Sequence, residues 1–170
     1  MEVRLAVPAD LPQLKAVYQK IIRHMDENGV PIWDEVYPCA LFAADMEARR
    51  LYVLEKDGRI AGAFALCDSS AGAGCVEWKE PPAKAFYIDR LGVSVEHRRE
   101  GLGSVLLRRA AELARAKGAC WLRLFVVDIN RPAMELYVKN GFQRAGGVYE
   151  EKIAGDMMLR EFGFELGLCP

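Results

Sequence analysis

The residues best equipped for chemistry lie between 91 and 104: Leu91-Gly92-Val93-Ser94-Val95-Glu96-His97-Arg98-Arg99-Glu100-Gly101-Leu102-Gly103-Ser104. An apolar run gives way to a short basic loop with two glycines. Helical spacing then begins at once, through Leu102, Val105, Leu106, Ala110, Leu113 and Ala114. Glycine lets backbone N–H groups converge on a ligand without a Cβ in the way. A helix start adds unpaired N–H donors and the positive end of the helix dipole. Together these make a cradle for an anion such as a pyrophosphate, with Arg98 and Arg99 as full charges at its rim. The dinucleotide pattern G-x-G-x-x-G fails, because Leu106 stands where the third glycine belongs, and no G-K-[S/T] follows for a P-loop. Two glycines can also make a tight strand-to-helix turn with no ligand, so the loop alone leaves both readings open.

The elements that must position this loop follow from periodicity. Glu2 to Val7 is a strand ended by Pro8, and Leu11, Leu14, Val17, Tyr18, Ile21, Ile22 and Met25 mark the apolar face of a helix stopped by Asn28-Gly29. A second helix is predicted from Cys39 to Arg50. Leu51 to Glu55 and Ile60 to Cys67 form a hairpin about Lys56-Asp57-Gly58-Arg59. The small-residue stretch 68–74 reads as a mobile loop, and Lys84 to Val95 as a long strand leading into the glycine loop. After the helix ending at Lys117 come a strand (Trp121 to Val127), a short helix (Arg131 to Asn140) and strands over Phe142 to Tyr149 and Asp156 to Glu165. The order β-α-α-β-β-β-α-β-α-β-β predicts an α/β fold: a mixed sheet of about seven strands flanked by four helices, forming one domain over residues 1–170.

Composition narrows the function classes. A chain of 170 residues, 52% hydrophobic, can fill the core of one domain, which excludes wholesale disorder. The 23 Lys and Arg balance 24 Asp and Glu, so no nucleic-acid partner is expected. Cys39, Cys67, Cys75, Cys120 and Cys169 are odd in number with no C-x-x-C pair, and the only histidines are His24 and His97. Reduced, mostly buried thiols and no metal are expected, with both histidines at the surface. No apolar run nears the roughly 20 residues that span a bilayer, and Met1-Glu2-Val3-Arg4 lacks a signal-peptide plan. A cytoplasmic protein with no membrane partner is the expectation.

The segment Leu91 to Gly103 resembles the signature of the GNAT superfamily of N-acetyltransferases, in which a Val-x-Val strand leads into [Arg/Gln]-x-x-Gly-x-[Gly/Ala]. Arg98, Gly101 and Gly103 match its three positions. Asn130, Ala133, Tyr137, Gly141 and Phe142, read as N-x-x-A-x-x-x-Y-x-x-x-G-F, are similar to a second segment of that family. The element order matches the family fold from end to end. Trp33-Asp34-Glu35-Val36-Tyr37-Pro38 further resembles a branch whose substrates are largely unassigned.

The resemblance implies transfer of acetyl from acetyl-CoA (coenzyme A as carrier) to an amine acceptor in a ternary complex. Val93 and Val95 would offer backbone groups to the pantetheine amides as a mock neighbouring strand. The amides of Arg98, Arg99, Glu100, Gly101, Leu102, Gly103 and Ser104 would take the pyrophosphate, with Glu100 turned outward. A backbone N–H from Leu91, Gly92 or Val93 would stabilise the thioester oxyanion. Tyr137 would protonate the leaving thiolate; the alternative is an ordinary buried aromatic beside Phe142. Asn130 either caps its helix or also contacts coenzyme A, next to Ala133. Asp89 would take the amine proton, placed by strand alternation on the face of Leu91 and Val93, or would pair with Arg90 or Arg123. Phe125 stands where the branch often has an acidic residue. The acceptor would meet Trp33, Glu35 and Tyr37, in a loop whose charges are otherwise a solvated face. A non-catalytic acyl-CoA-sensing module is the competing class, and the closing strands could pair across a homodimer.

Overall fold

The computed structural model describes residues 1–152 and 158–169. The strands are β1 Glu2–Leu5, β2 Leu51–Lys56, β3 Arg59–Cys67, β4 Val76–Glu77, β5 Ala85–Val93, β6 Trp121–Val127, β7 Gln143–Arg144, β8 Gly146–Gly147, β9 Tyr149–Lys152 and β10 Met158–Gly167. The α-helices are α1 Leu11–Glu27, α2 Phe42–Glu47, α3 Leu102–Ala116 and α4 Arg131–Lys139. The fold is mixed α/β, with seven strands in line in one sheet and β9 paired to β10 off that line. The chain divides into two compact units, Met1–Leu66 with Asp89–Arg109, and Cys67–Ile88 with Ala110–Pro170.

The first unit carries the sheet order β1-β2-β3-β5. β1 and β2 are antiparallel, as are β2 and β3, with Val3 opposite Leu54 and Val53 opposite Ala63. The hairpin turn falls at the predicted Asp57-Gly58, both at positive φ (52° and 73°), the conformation that matches the twist of the flanking strands. β3 is buried from Ile60 onward without alternation, so both of its faces are covered. α1 buries Leu14, Tyr18, Ile21 and Ile22, from the predicted apolar stripe, and its last turn is closed by Asn28 Nδ2 donating to the His24 carbonyl at 2.7 Å. The second helix is shorter than predicted: a 3-10 turn over Cys39–Leu41 precedes α2, and Arg49, at φ 52°, turns the chain into β2.

The second unit carries β5-β6-β10-β7. β5 runs parallel to β6, Ala85 opposite Trp121 through Ile88 opposite Leu124, and β10 runs antiparallel to β6. The predicted strand from Phe142 to Tyr149 is instead broken into β7, β8 and the start of β9. The Ala145 amide still bonds the Gly163 carbonyl, but Gly146–Gly147 leave β10 and pair with β4. Of the predicted Asp156 to Glu165 strand, Asp156 and Met157 lie outside the described residues, and β10 continues to Gly167. Segment 68–74 holds a 3-10 turn, Ala71–Gly74, with Gly72 buried against Phe125 and Tyr149. Leu122, Leu124, Tyr137, Phe142 and Phe164 form the core here. Within it, Arg123 and Glu165 sit directly opposite, each 2% exposed, with Nε 3.5 Å from Oε2. Arg123 Nη2 also donates to the Glu80 carbonyl (2.8 Å) and Glu165 Oε1 accepts from the Lys79 amide (3.0 Å).

The thiols are all free, but only Cys39 and Cys67 are buried. Cys120 is half-buried, and Cys75 and Cys169 are exposed, which corrects the expectation of mostly buried thiols: both lie outside the helices and strands, where no core face covers them. Among the described residues no group of three His, Cys, Asp or Glu could hold a metal ion, and no helix is long and apolar enough to cross a membrane.

Candidate active site

In the first unit the site grows from the end of β5. This strand stops at Val93, two residues earlier than predicted, because Ser94 ends the ladder: its amide still reaches the Ala61 carbonyl (2.8 Å), while its hydroxyl accepts the Glu96 amide and caps a 3-10 turn over Val95–His97. Val95 therefore begins a turn and cannot extend the strand edge that Val93 offers.

Arg90 is the unusual residue of this strand. Its φ is 56°, a left-handed conformation that costs a non-glycine residue about 1–3 kcal/mol. Burial still alternates across it: Asp89, Leu91 and Val93 are half-buried, while Arg90 and Gly92 are buried. Asp89 is partly exposed, and its Oδ2 lies 3.8 Å from Arg90 Nη1. The Arg90 guanidinium is buried against Asp45 of α2, which is fully buried: Nη2 donates to Oδ1 at 3.1 Å, and Nε faces Oδ2 at 2.7 Å. Arg50 Nε supplies a further bond to Asp45 Oδ1 (2.7 Å). The Arg90 carbonyl accepts the Tyr18 hydroxyl at 2.6 Å. The hydroxyl end of the Tyr18 ring also closes on Gly92, where an added Cβ would sit 2.9 Å from Cζ and Oη. Trp33 stacks on Tyr18 at 5.5 Å and Phe42 meets it edge-on at 4.8 Å. Burial pushes the Tyr18 phenol far above its ordinary range, so it stays a donor.

Tyr18, Asp45 and Arg90 carry no signal in the 91–104 motif. Tyr18 is hidden in an apolar stripe that any aromatic could fill. The available hints were a hydroxyl needing a partner once buried, and an arginine next to Asp89 in a strand of mostly apolar residues.

The loop after the turn has the predicted shape. Arg99 (φ 64°) and Gly101 (φ 76°) are both left-handed, a backbone alternation that points successive N–H groups to one side. An added Cβ at Gly101 would meet nothing within 4 Å, so its glycine answers to backbone conformation, not to crowding. Leu102, 3% exposed, anchors the first turn of α3. The Ser104 amide bonds the Gly101 carbonyl at 3.0 Å and so turns into the helix, leaving Leu102 and Gly103 as the α3 amides nearest the loop. Arg98 and Arg99 are exposed. Glu100 has a clear occupation: its carboxylate pairs with Lys56 from the β2–β3 turn (2.5 Å) and with His97 Nδ1 (3.3 Å), and the Lys56 bond first, then His97, holds its pKa below the usual carboxylate value. His97, expected to be a surface residue without a partner, is partly covered and has this one.

On the acceptor loop, Asp34 is spent locally. Its Oδ1 accepts the amides of Val36 (2.8 Å) and Tyr37 (2.7 Å), which closes the turn carrying Glu35 and Tyr37, both exposed. Trp33 is half-buried through its stack on Tyr18.

In the second unit, α4 carries the other motif. Asn130 caps it as expected, Oδ1 accepting the Ala133 amide at 3.3 Å. Tyr137 is buried between Phe142 and Phe164, each ring centroid 6.0 Å away, and desolvation raises its pKa well above the ordinary 10. Phe125 packs against Trp78 and Tyr149, each at 5.6 Å. Arg123, one of the two arginines considered for Asp89, pairs with Glu165.

Chemically, the first unit presents an exposed basic loop of convergent amides, reached from a strand end held at a fixed angle. The second presents a buried, protonated phenol on a capped helix. Known proteins match this chain on both counts of sequence and fold. Streptothricin acetyltransferase of Streptomyces lavendulae is 35% identical over 102 residues, covering 60% of this chain and 48% of that protein. Thialysine N-epsilon-acetyltransferase of Bos taurus is 39% identical over 66 residues, covering 39% of this chain and 37% of the other. The chain thus spans about half or less of these relatives. A GNAT-family acetyltransferase of Streptococcus agalactiae superposes with a TM-score of 0.81 at 18% identity, covering 98% of this chain and 94% of that one. YncA of Salmonella typhimurium, solved with its cofactor acetyl-CoA, gives 0.72 at 20% identity, covering 100% and 95%. The model of the acetyltransferase (GNAT) family matches residues 18–142, from Tyr18 to Phe142, and the chain belongs to that family.

Proposed function

We propose that this chain is an acetyl-CoA-dependent N-acetyltransferase acting on a primary amine of a small molecule or peptide by direct attack in a ternary complex. The observation that carries it is the backbone from Arg99 to Gly103: two left-handed residues at the start of a 15-residue helix, flanked by exposed arginines and open to solvent. That cradle fits the diphosphate of coenzyme A. Bound acetyl-CoA would supply an activated acyl carbon and a thiolate that leaves.

The chain's own residues divide the remaining work. Arg98, Arg99 and the amides of Glu100 to Gly103 hold phosphate oxygens; Val93 offers its backbone to the pantetheine. An N–H of the Leu91–Val93 stretch faces the carbonyl oxygen as charge gathers there. Asp89, partly exposed, takes the proton that the amine nitrogen must lose. Tyr137 returns a proton to sulfur; since burial disfavours its phenolate, the proton passes only as negative charge develops on the sulfur, in concert with C–S cleavage. Trp33, Glu35 and Tyr37 meet the acceptor.

Calorimetry with coenzyme A, followed by thiol release from acetyl-CoA over an amine panel that includes streptothricin and thialysine, tests this. Heat of association and turnover of at least one amine are expected. No heat at millimolar coenzyme A refutes the reading, and binding without any turnover favours an acyl-CoA sensor.

A further inference from the structure

The motif residues do not explain why a buried ion pair sits beside the acyl-binding stretch. Buried charges are costly unless matched, and a hydrophobic pair of the same volume would serve stability as well or better. Here Asp45 is fully buried and meets Arg90 at two points, and Arg90 is the one residue of β5 at positive φ. The carbonyl of this left-handed residue accepts the Tyr18 hydroxyl at 2.6 Å. The same Tyr18 ring lies against Gly92. Tyr18 of α1 and Asp45 of α2 thus hold one strained residue of β5, by its carbonyl and by its guanidinium. The peptides that follow belong to Leu91, Gly92 and Val93, so the direction of their N–H groups is set by how firmly that one is held.

We propose that Tyr18, Asp45 and Arg90 are positioning residues: a clamp that holds the β5 kink so that the amides of Leu91–Val93 point at the carbonyl oxygen of the acyl donor. It rests on the acetyl-transfer reading above. The clamp touches neither the phosphate loop nor the reacting atoms, so its loss separates affinity from rate. Misdirected donors weaken oxyanion stabilisation, while coenzyme A is still gripped at residues 98–104.

Tyr18→Phe keeps the ring on Gly92 and removes only the hydroxyl. Asp45→Asn keeps the shape and removes the charge. In both, the calorimetric Kd for coenzyme A should stay within threefold of wild type, while kcat for thiol release at saturating acetyl-CoA, with the best amine of the panel, should fall tenfold or more. The double variant should lose little beyond the worse single one, since both act on one residue. A merely structural role lowers Tm and leaves kcat per folded molecule unchanged. Should Asp45→Asn not fold, Tyr18→Phe decides alone: kcat within twofold of wild type at unchanged affinity overturns the clamp. Wild-type protein that binds no coenzyme A, or turns over no amine, overturns the transfer reading and the clamp with it, whereas an active wild type beside equally active variants overturns the clamp only.

Discussion

Gly92→Ala isolates how tightly the acyl-binding stretch is built. The backbone at Gly92 is not left-handed, so alanine brings no conformational strain and the whole effect is steric. The new Cβ would lie 2.9 Å from both Cζ and Oη of Tyr18 and 3.0 Å from Cε1. Ordinary contact begins near 3.4 Å, so the ring must retreat by about 0.5 Å. It has nowhere to go: Tyr18 is 0% exposed, Trp33 covers one face, Phe42 closes the edge, and the hydroxyl is held by the Arg90 carbonyl. Overpacking a closed site by one methyl costs about 1–3 kcal/mol. For a chain of this size that lowers Tm by about 2–12 °C, measured by calorimetric or circular-dichroism melts. Tyr18→Leu, which removes the colliding ring, should make the same Gly92→Ala change nearly neutral. Gly101→Ala is the control, because its site is open but its φ of 76° costs alanine about 1–2 kcal/mol. No change at Tyr18 should rescue it, whereas Gly101→Asn should be milder. If Gly92→Ala melts within 1 °C of wild type, or Tyr18→Leu fails to relieve it, the packing account of this strand is wrong.

Tyr137→Phe should lower turnover by about a hundredfold with coenzyme A affinity unchanged, and the phenyl ring should keep its place between Phe142 and Phe164; unaltered kcat removes Tyr137 from the reaction. Because burial raises this phenol, an alkaline fall in kcat below pH 10 must come from another group, and it should persist in any residual activity of Tyr137→Phe. Asp10, bound by Arg4 through both oxygens (2.8 and 3.0 Å) and by the Val7 amide, has its pKa lowered from the ordinary 3.8, chiefly by the Arg4 bonds. The folded state therefore binds fewer protons than the unfolded one, and this stabilisation is full above about pH 4 and lost as pH falls through the folded value. Asp10→Asn should lower stability at pH 7, and the loss should shrink as pH falls below about 4 in urea titrations; a loss that does not change with pH contradicts the assignment. Glu165→Gln leaves the Arg123 charge buried without its counter-ion and should destabilise by about 3–5 kcal/mol, whereas Arg123→Met with Glu165→Leu should recover most of that.

Much of this protein was legible in one dimension because the relevant physics is local. The left-handed Gly101, the start of α3, the Asp57-Gly58 hairpin and the Asn130 cap each depend on residues within a few positions of one another, and residue type favours the outcome. The apolar stripe of α1 and the unbroken run of β3 are likewise set by composition and period. Where the expectations failed, a distant partner intervened. The strand over 142–149 broke because Gly146–Gly147 found β4, some seventy residues earlier in the chain. The left-handed conformation of Arg90, which arginine itself does not favour, was likewise beyond any local pattern; it is sustained by Tyr18, 72 residues away, and Asp45, 45 residues away.

The chain alone thus determined its family, the element order and the amides available to an anion, since each follows from short-range rules. Only tertiary structure decided which buried groups hold the strand end, what Glu100 and Asp34 are bonded to, and why a side chain at Gly92 collides with Tyr18. The reason is physical. A buried charge or hydroxyl must find a partner somewhere, but which partner is a property of three-dimensional packing that no local pattern encodes.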